Sequence, residues 1–264
     1  MIHPTAVIHP QAKLDASVQV GPYAVIDAGV ELGADCVVGP HVYLTGVTKI
    51  GVGNQIHAGC VIGDAPQDLK YQGAPTRVRI GDRNTFREHV TINRATTPDG
   101  ATVVGSDNFI MAGAHIGHNC TLGSHVIMAN TSMLGGHVTI HDRVFISGSC
   151  LVHQFCTIGT LAILQGGSAT SKDVAPYTLA HGVNRLCGLN VVGLRRAGFS
   201  AAERLELKTL YRALFRSGQN LTEAVAGARK KFSGPGARVM LEFIAASKRG
   251  VCADGGVPHG NEDI

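Results

Sequence analysis

The chain has 264 residues, 44% apolar and 16% charged, a composition that supports a full hydrophobic core and excludes a disordered chain. No apolar run approaches the ~18 residues of a membrane span, and the start "MIHPTAVIHP" predicts no secretory leader. The net charge of +4 is uneven: residues 185–249 hold 13 Lys/Arg against 4 Asp/Glu, a local +9 suited to an acidic partner, without the interleaved aromatics that nucleic-acid binding would need.

In chain order, the first element is a repeat. A step of six from Ile2 lands on large apolar residues through Ile8, Leu14, Val20 and Ile26, and later through Ile110, Ile116, Leu122, Met128 and Leu134. The misses up to residue 170 are Asp68, Ala74, Pro98 and Thr170. The residue after the aliphatic is often glycine, as at Gly21, Gly117 and Gly135, which predicts a left-handed turn there. Two residues before it the side chain is small, and five of the seven cysteines fall at this phase. With no CxxC pair, these thiols read as small apolar residues of a reducing cytoplasm. A period of six cannot be helical; it describes short strands joined by sharp corners. Hexapeptide repeats predict a parallel β-helix over residues 1–185, with 18-residue coils stacked roughly 4.8 Å apart. Its flat sides predict side-by-side association, typically as a homotrimer.

The beat breaks over residues 64–79 and 95–103. If each break is a loop that costs no net hexad, residues on successive coils form columns. His118 then lies beneath Gly136, and Gly136 beneath Gln154, flanked by His137 and His153. Asn93 and Arg94 fall beneath Gly117 and His118, and both loops leave from this same corner. Loops grafted at one place on a rigid scaffold carry function. His118, outward at the corner, reads as a general base, with His115 beside it on the flat side. Cys120 takes the inward phase, where a thiol is a poor nucleophile. His115, His118 and His137 also admit a zinc site across a subunit interface, as in trimeric β-helix hydratases.

From about residue 186 the beat stops and a helical domain is expected over 186–264. Ser200 followed by Glu203 is a capping box, and Leu207, Leu210, Tyr211 and Leu214 form one apolar stripe ending at Gly218. Helices are predicted near 222–232 and 237–248, separated by Gly234-Pro235-Gly236, with a frayed end over 251–264.

The motifs "QDLKYQGAPTRV" (67–78), "AHIGHNC" (114–120), "GGHV" (135–138), "HQF" (153–155) and "GLNVVGLRRAGFS" (188–200) resemble the acyl-carrier-protein-dependent UDP-N-acetylglucosamine O-acyltransferases, which begin lipid A synthesis. The resemblance spans nearly the whole chain. It implies a left-handed all-β solenoid, a homotrimer with sites between subunits, and transfer of a 3-hydroxyacyl group from acyl carrier protein to the sugar 3-position. It implies no cofactor beyond the carrier's own phosphopantetheine. By the resemblance, His118 is the catalytic base and the Gly136 N–H steadies the oxyanion. Gln67, Asp68 and Lys70 hold the sugar nucleotide or acyl donor. His115, His137, His153 and Gln154 line the cleft, Asn190 and Arg196 meet the nucleotide, and Gly166 limits acyl length. The cationic helices, with Arg195, Lys208, Arg212 and Lys230, would dock the acidic carrier. Three residues depart from the family pattern: Asn119 where Asp is common after the base, Asn93 where many members have His, and Val192 where many have Glu. The nearest rival on the same scaffold is another hexapeptide acyltransferase, one using coenzyme A.

Overall fold

The structure, a computed structural model, describes residues 1–256. Short parallel strands, most of them two residues long, wrap into a three-sided prism. One side runs from Val7–Ile8 to Ala169–Thr170, the second from Lys13–Leu14 to Thr157–Ile158, the third from Gln19–Val20 upward. From Ile8 onward the hexad aliphatics point into one narrow core, with Ile92, Ile116, Leu134 and Ile158 fully buried. Cys36, Cys60, Cys120, Cys150 and Cys156 are buried beside them, as the inward small phase predicts.

The two breaks preserve the column. Ile62 pairs with Ile92, and Ile92 with Ile116, so each excursion returns the chain to its register. The excursions themselves are shorter than expected, 65–76 and 94–100. Arg77–Ile80 and Ala101–Val104 are already strands, because alternation at Val78 and Thr102 carries the inward pattern one step further.

The role expected of the glycines needs correction. Gly117 and Gly135 do not adopt the left-handed conformation. That falls two residues later, at Asn119, His137 and Phe155, with φ of 60°, 60° and 66°. The glycine is required instead by the coil above. A Cβ on Gly117 would lie 2.7 Å from the Leu134 carbonyl oxygen, and one on Gly135 2.8 Å from the Gln154 nitrogen.

The tail is more than helices. Arg185–Leu189 pairs antiparallel with Thr178–His181, and Ala253–Asp254 pairs parallel with Arg185–Leu186, extending the third side past the last coil. Residues 251–254 therefore pair with the fold rather than fray from it, with Cys252 buried on the prism core and Val251 among the helices. The rest of the segment expected to fray, 257–264, lies outside the described residues.

Among the described residues, four helices follow the solenoid: α1 (Val191–Arg196), α2 (Ala201–Phe215), α3 (Leu221–Arg229) and α4 (Pro235–Ala246). The Ser200–Glu203 capping box forms, and α2 stops at Phe215, before Gly218. Pro235 begins α4 rather than separating it from α3, since the first helical turn leaves N–H groups unbonded anyway. Leu207, Leu210 and Leu214 bury against Met240, Leu241 and Ile244. Tyr211 joins this cluster to the prism core.

Candidate active site

The corner between the first and second sides collects the unusual residues, and one cleft of about 630 Å³ opens there. Gln67, Asn93, His115, His118, Gly136, His153 and Gln154 all line it. Above them it continues up the first side past Met133, Leu151, Ala169 and Val183.

The loops are tied to the corner by specific bonds. Asn93 Nδ2 donates to the Ala65 carbonyl at 2.9 Å. Arg94 donates to the Gly63 carbonyl at 2.9 Å and to the Tyr71 hydroxyl at 3.2 Å, its guanidinium lying over the Tyr71 ring. The coil beneath His118 therefore clamps the first loop, which carries Gln67, Asp68 and Lys70. Asp68 Oδ1 accepts from the Lys70 backbone N–H at 2.9 Å. Asp68, Lys70 and His137, all expected at the cleft, do not line its wall.

The second loop sets the protonation geometry of His118. Thr96 donates twice to one atom, Asn119 Oδ1, from its backbone N–H at 3.0 Å and its hydroxyl at 2.9 Å. A backbone N–H can only donate, so the atom facing it is the amide oxygen. His118 Nδ1 lies 2.9 Å from that oxygen and must carry the proton. In the neutral ring the lone pair then lies on the other nitrogen, Nε2. Gly136 fits directly over it: a Cβ there would lie 2.5 Å from Nε2. Among the described residues the Gly136 N–H donates to no protein group.

The flanking imidazoles are biased toward neutrality. Burial, reinforced by nearby His118, pushes His115 below the usual histidine range, and its Nδ1 is hydrogen-bonded to the Thr91 hydroxyl at 2.7 Å. Burial and then His118 also push His137 down, against a smaller upward pull from Asp68. His118 and His137 meet edge to face, and among the described residues no three His, Cys, Asp or Glu side chains group to hold a metal ion. Burial pushes Cys120 up to about 12, which keeps it a thiol.

Three expected residues lie away from this cleft within the chain. Gly166 is exposed at the corner between the third and first sides. Asn190 is buried, its amide accepting from Gly193 N and donating to the Leu161 carbonyl, so it caps α1. Arg196 is exposed at the end of α1. Sequence reasoning missed Thr96, Thr91 and Phe155. Phe155 was legible as the residue one coil above His137, whereas Thr96 sits in a loop that spacing cannot place.

Known proteins resemble this chain along nearly its whole length. A family model described as UDP N-acetylglucosamine O-acyltransferase, domain 2, matches residues 173–252, and one described as bacterial transferase hexapeptide (six repeats) matches residues 12–46 and 101–136. An acyl-[acyl-carrier-protein]–UDP-N-acetylglucosamine O-acyltransferase of Janthinobacterium sp. (strain Marseille) is 47% identical over 258 residues, covering 95% of this chain and 98% of its own. One from Thermodesulfovibrio yellowstonii is 46% identical over 254 residues, covering 95% of this chain and 98% of its own. The crystal structure of the Francisella novicida UDP-N-acetylglucosamine acyltransferase superposes with a TM-score of 0.92 at 36% identity, covering 97% of this chain and 95% of that one. The all-β solenoid is thus the left-handed parallel β-helix of that group, and the protein is an acyltransferase. With this fold, these repeats and this degree of identity along its length, the chain belongs to the acyl-[acyl-carrier-protein]–UDP-N-acetylglucosamine O-acyltransferase family.

Proposed function

We propose that this acyltransferase moves a (3R)-3-hydroxyacyl group from acyl carrier protein to the 3-hydroxyl of UDP-N-acetylglucosamine, the first step of lipid A synthesis, with His118 as general base. The observation that carries this reading is the shared Asn119 oxygen, which puts the His118 proton on Nδ1 and leaves Nε2 close to Gly136, whose N–H donates to no protein group among the described residues. The sugar hydroxyl loses its proton to Nε2 as its oxygen bonds to the thioester carbonyl carbon. The carbonyl electrons move to oxygen, where the Gly136 N–H stabilises the charge. Collapse of the tetrahedral intermediate breaks the carbon–sulfur bond, and His118 returns the proton to the leaving thiolate. General-base help is worth about 10²–10⁴-fold and one oxyanion donor about 10²–10³-fold. Holding two large substrates together supplies much of the rest.

In this reading Gln67, Asn93, His115, His153 and Gln154 bind substrate from within one chain, with Asp68, Lys70 and His137 at the rim. Gly166, Asn190 and Arg196 would act from a neighbouring copy. The outer columns support a homotrimer. The first side presents His115, Met133 and Leu151, and the third presents Phe109, Ile127 and Phe145, whereas the second presents Thr121, Thr139 and Thr157. Two unlike apolar sides meeting head to tail close a ring. The cationic helices then face the acidic carrier. No described helix is long and apolar enough to cross a membrane, in keeping with work in the cytoplasm on soluble substrates.

The test is to incubate the purified protein with 3-hydroxyacyl carrier protein and UDP-N-acetylglucosamine and read the product by mass spectrometry. A singly acylated UDP-sugar, formed equally with and without chelator, is expected. No transfer from the carrier, or transfer only from coenzyme A, would overturn the reading.

A further inference from the structure

Phe155 is a large apolar side chain that stays 51% exposed. What it covers is His137. The two rings stack with centroids 4.6 Å apart and planes 16° from parallel. The other neighbour of His137 is the base itself: His137 and His118 meet edge to face at 5.3 Å and 89°. The backbone repeats the connection, since His137 N–H donates to the His118 carbonyl and Phe155 N–H to the Gly136 carbonyl. Of three left-handed corner residues on successive coils, Asn119 and His137 touch the His118 ring and Phe155 backs His137.

We infer that Phe155 is a positioning residue for the acyl transfer: its ring pins His137, and His137 in turn fixes the plane of the His118 imidazole. This rests on the reading of His118 as the base. Asn119 holds His118 at one atom, Nδ1, about which the ring can still tilt. A ring set perpendicular to it removes that freedom and keeps Nε2 beneath Gly136. The stack also shields His137 from water. Two titratable groups face His137, namely His118 and Asp68, and their effects oppose, so shielding decides its state. A neutral His137 places no cation beside a base that must accept a proton.

The experiment compares full-length wild type with Phe155→Leu, which keeps an apolar side chain but not a flat ring, and Phe155→Trp, which keeps the stack. For each, kcat, both KM values, the thermal midpoint and the His137 ring titration by NMR are measured. Phe155→Leu is expected to lower kcat by ~10- to 100-fold with KM values little changed, to raise the His137 titration midpoint, and to leave the thermal midpoint near wild type. Phe155→Trp is expected to recover most of kcat. The proposal is overturned if Phe155→Leu keeps kcat within twofold, if Trp does no better than Leu, or if kcat falls only together with thermal stability. Should wild type show no transfer at all, the functional reading fails instead. The His137 titration still reports whether Phe155 controls that ring.

Discussion

His118 and Asn119 are joined side chain to side chain, Nδ1 to Oδ1 at 2.9 Å, and the shared proton belongs to His118 because Thr96 N–H already donates to the same oxygen. An amide in this place orients the imidazole without adding charge. Replacing Asn119 by Asp would favour the imidazolium. The acid limb of the kcat/KM–pH profile should therefore move to higher pH, since the neutral base is lost sooner on acidification. Asn119→Ala removes the acceptor of three donors and should lower kcat by about 10²–10⁴-fold. An unmoved pH profile in Asn119→Asp would mean that this bond does not govern the base.

Gly136 tests how close the upper coil must approach. Its φ is not left-handed, so alanine is compatible with the backbone, but the added methyl would meet His118 Nε2 at 2.5 Å. Gly136→Ala should fold and form the same oligomer, yet lose at least ~100-fold in kcat by pushing the imidazole aside. Steady-state kinetics with a sedimentation control checks this; near-wild-type turnover would place the reacting base elsewhere.

Cys120 lies two residues from His118 but faces inward, with Sγ donating to the Gly135 carbonyl at 3.1 Å. Cys120→Ala should retain transfer within about fivefold, at a cost of no more than ~2 kcal/mol in stability. Mass spectrometry of the resting and turning-over enzyme should find no acyl group on this thiol.

The half-buried His115 makes stability depend on pH. Its folded-state pKa is lowered by burial and then by His118, so between that value and the unfolded value near ~6.5 only the unfolded chain takes up a proton. Its contribution is intact above ~6.5 and is lost as pH falls through the folded pKa. His115→Gln has no such proton to gain. The drop in thermal midpoint from pH 7.5 to 5.5 should be smaller in the variant than in wild type, with His137 and His141 contributing in the same direction.

Much of this architecture was readable because period and stacking are the same fact. Once Ile92 was assigned beneath Ile116, the positions of Asn93, Gly136 and Gln154 followed without coordinates. The glycine at each corner was recognised for the wrong reason. Its spacing looks like a turn signal, but the constraint comes from the backbone of the next coil, a contact invisible to a single repeat. Thr96 could not be placed because a loop has no period, and its two bonds to Asn119 decide the tautomer of His118. The tail strands at Arg185–Leu189 and Ala253–Asp254 were missed for a related reason. Their pairing partner is the open end of the prism, not a neighbour in sequence.

The most direct measurement is single-turnover acyl transfer by His118→Ala beside wild type, at matched pH and with unchanged oligomeric state and thermal midpoint. The account predicts a loss of about 10²–10⁴-fold in the chemical step with both substrates still bound. A variant that transfers the acyl group within a few-fold of the wild-type rate would contradict it.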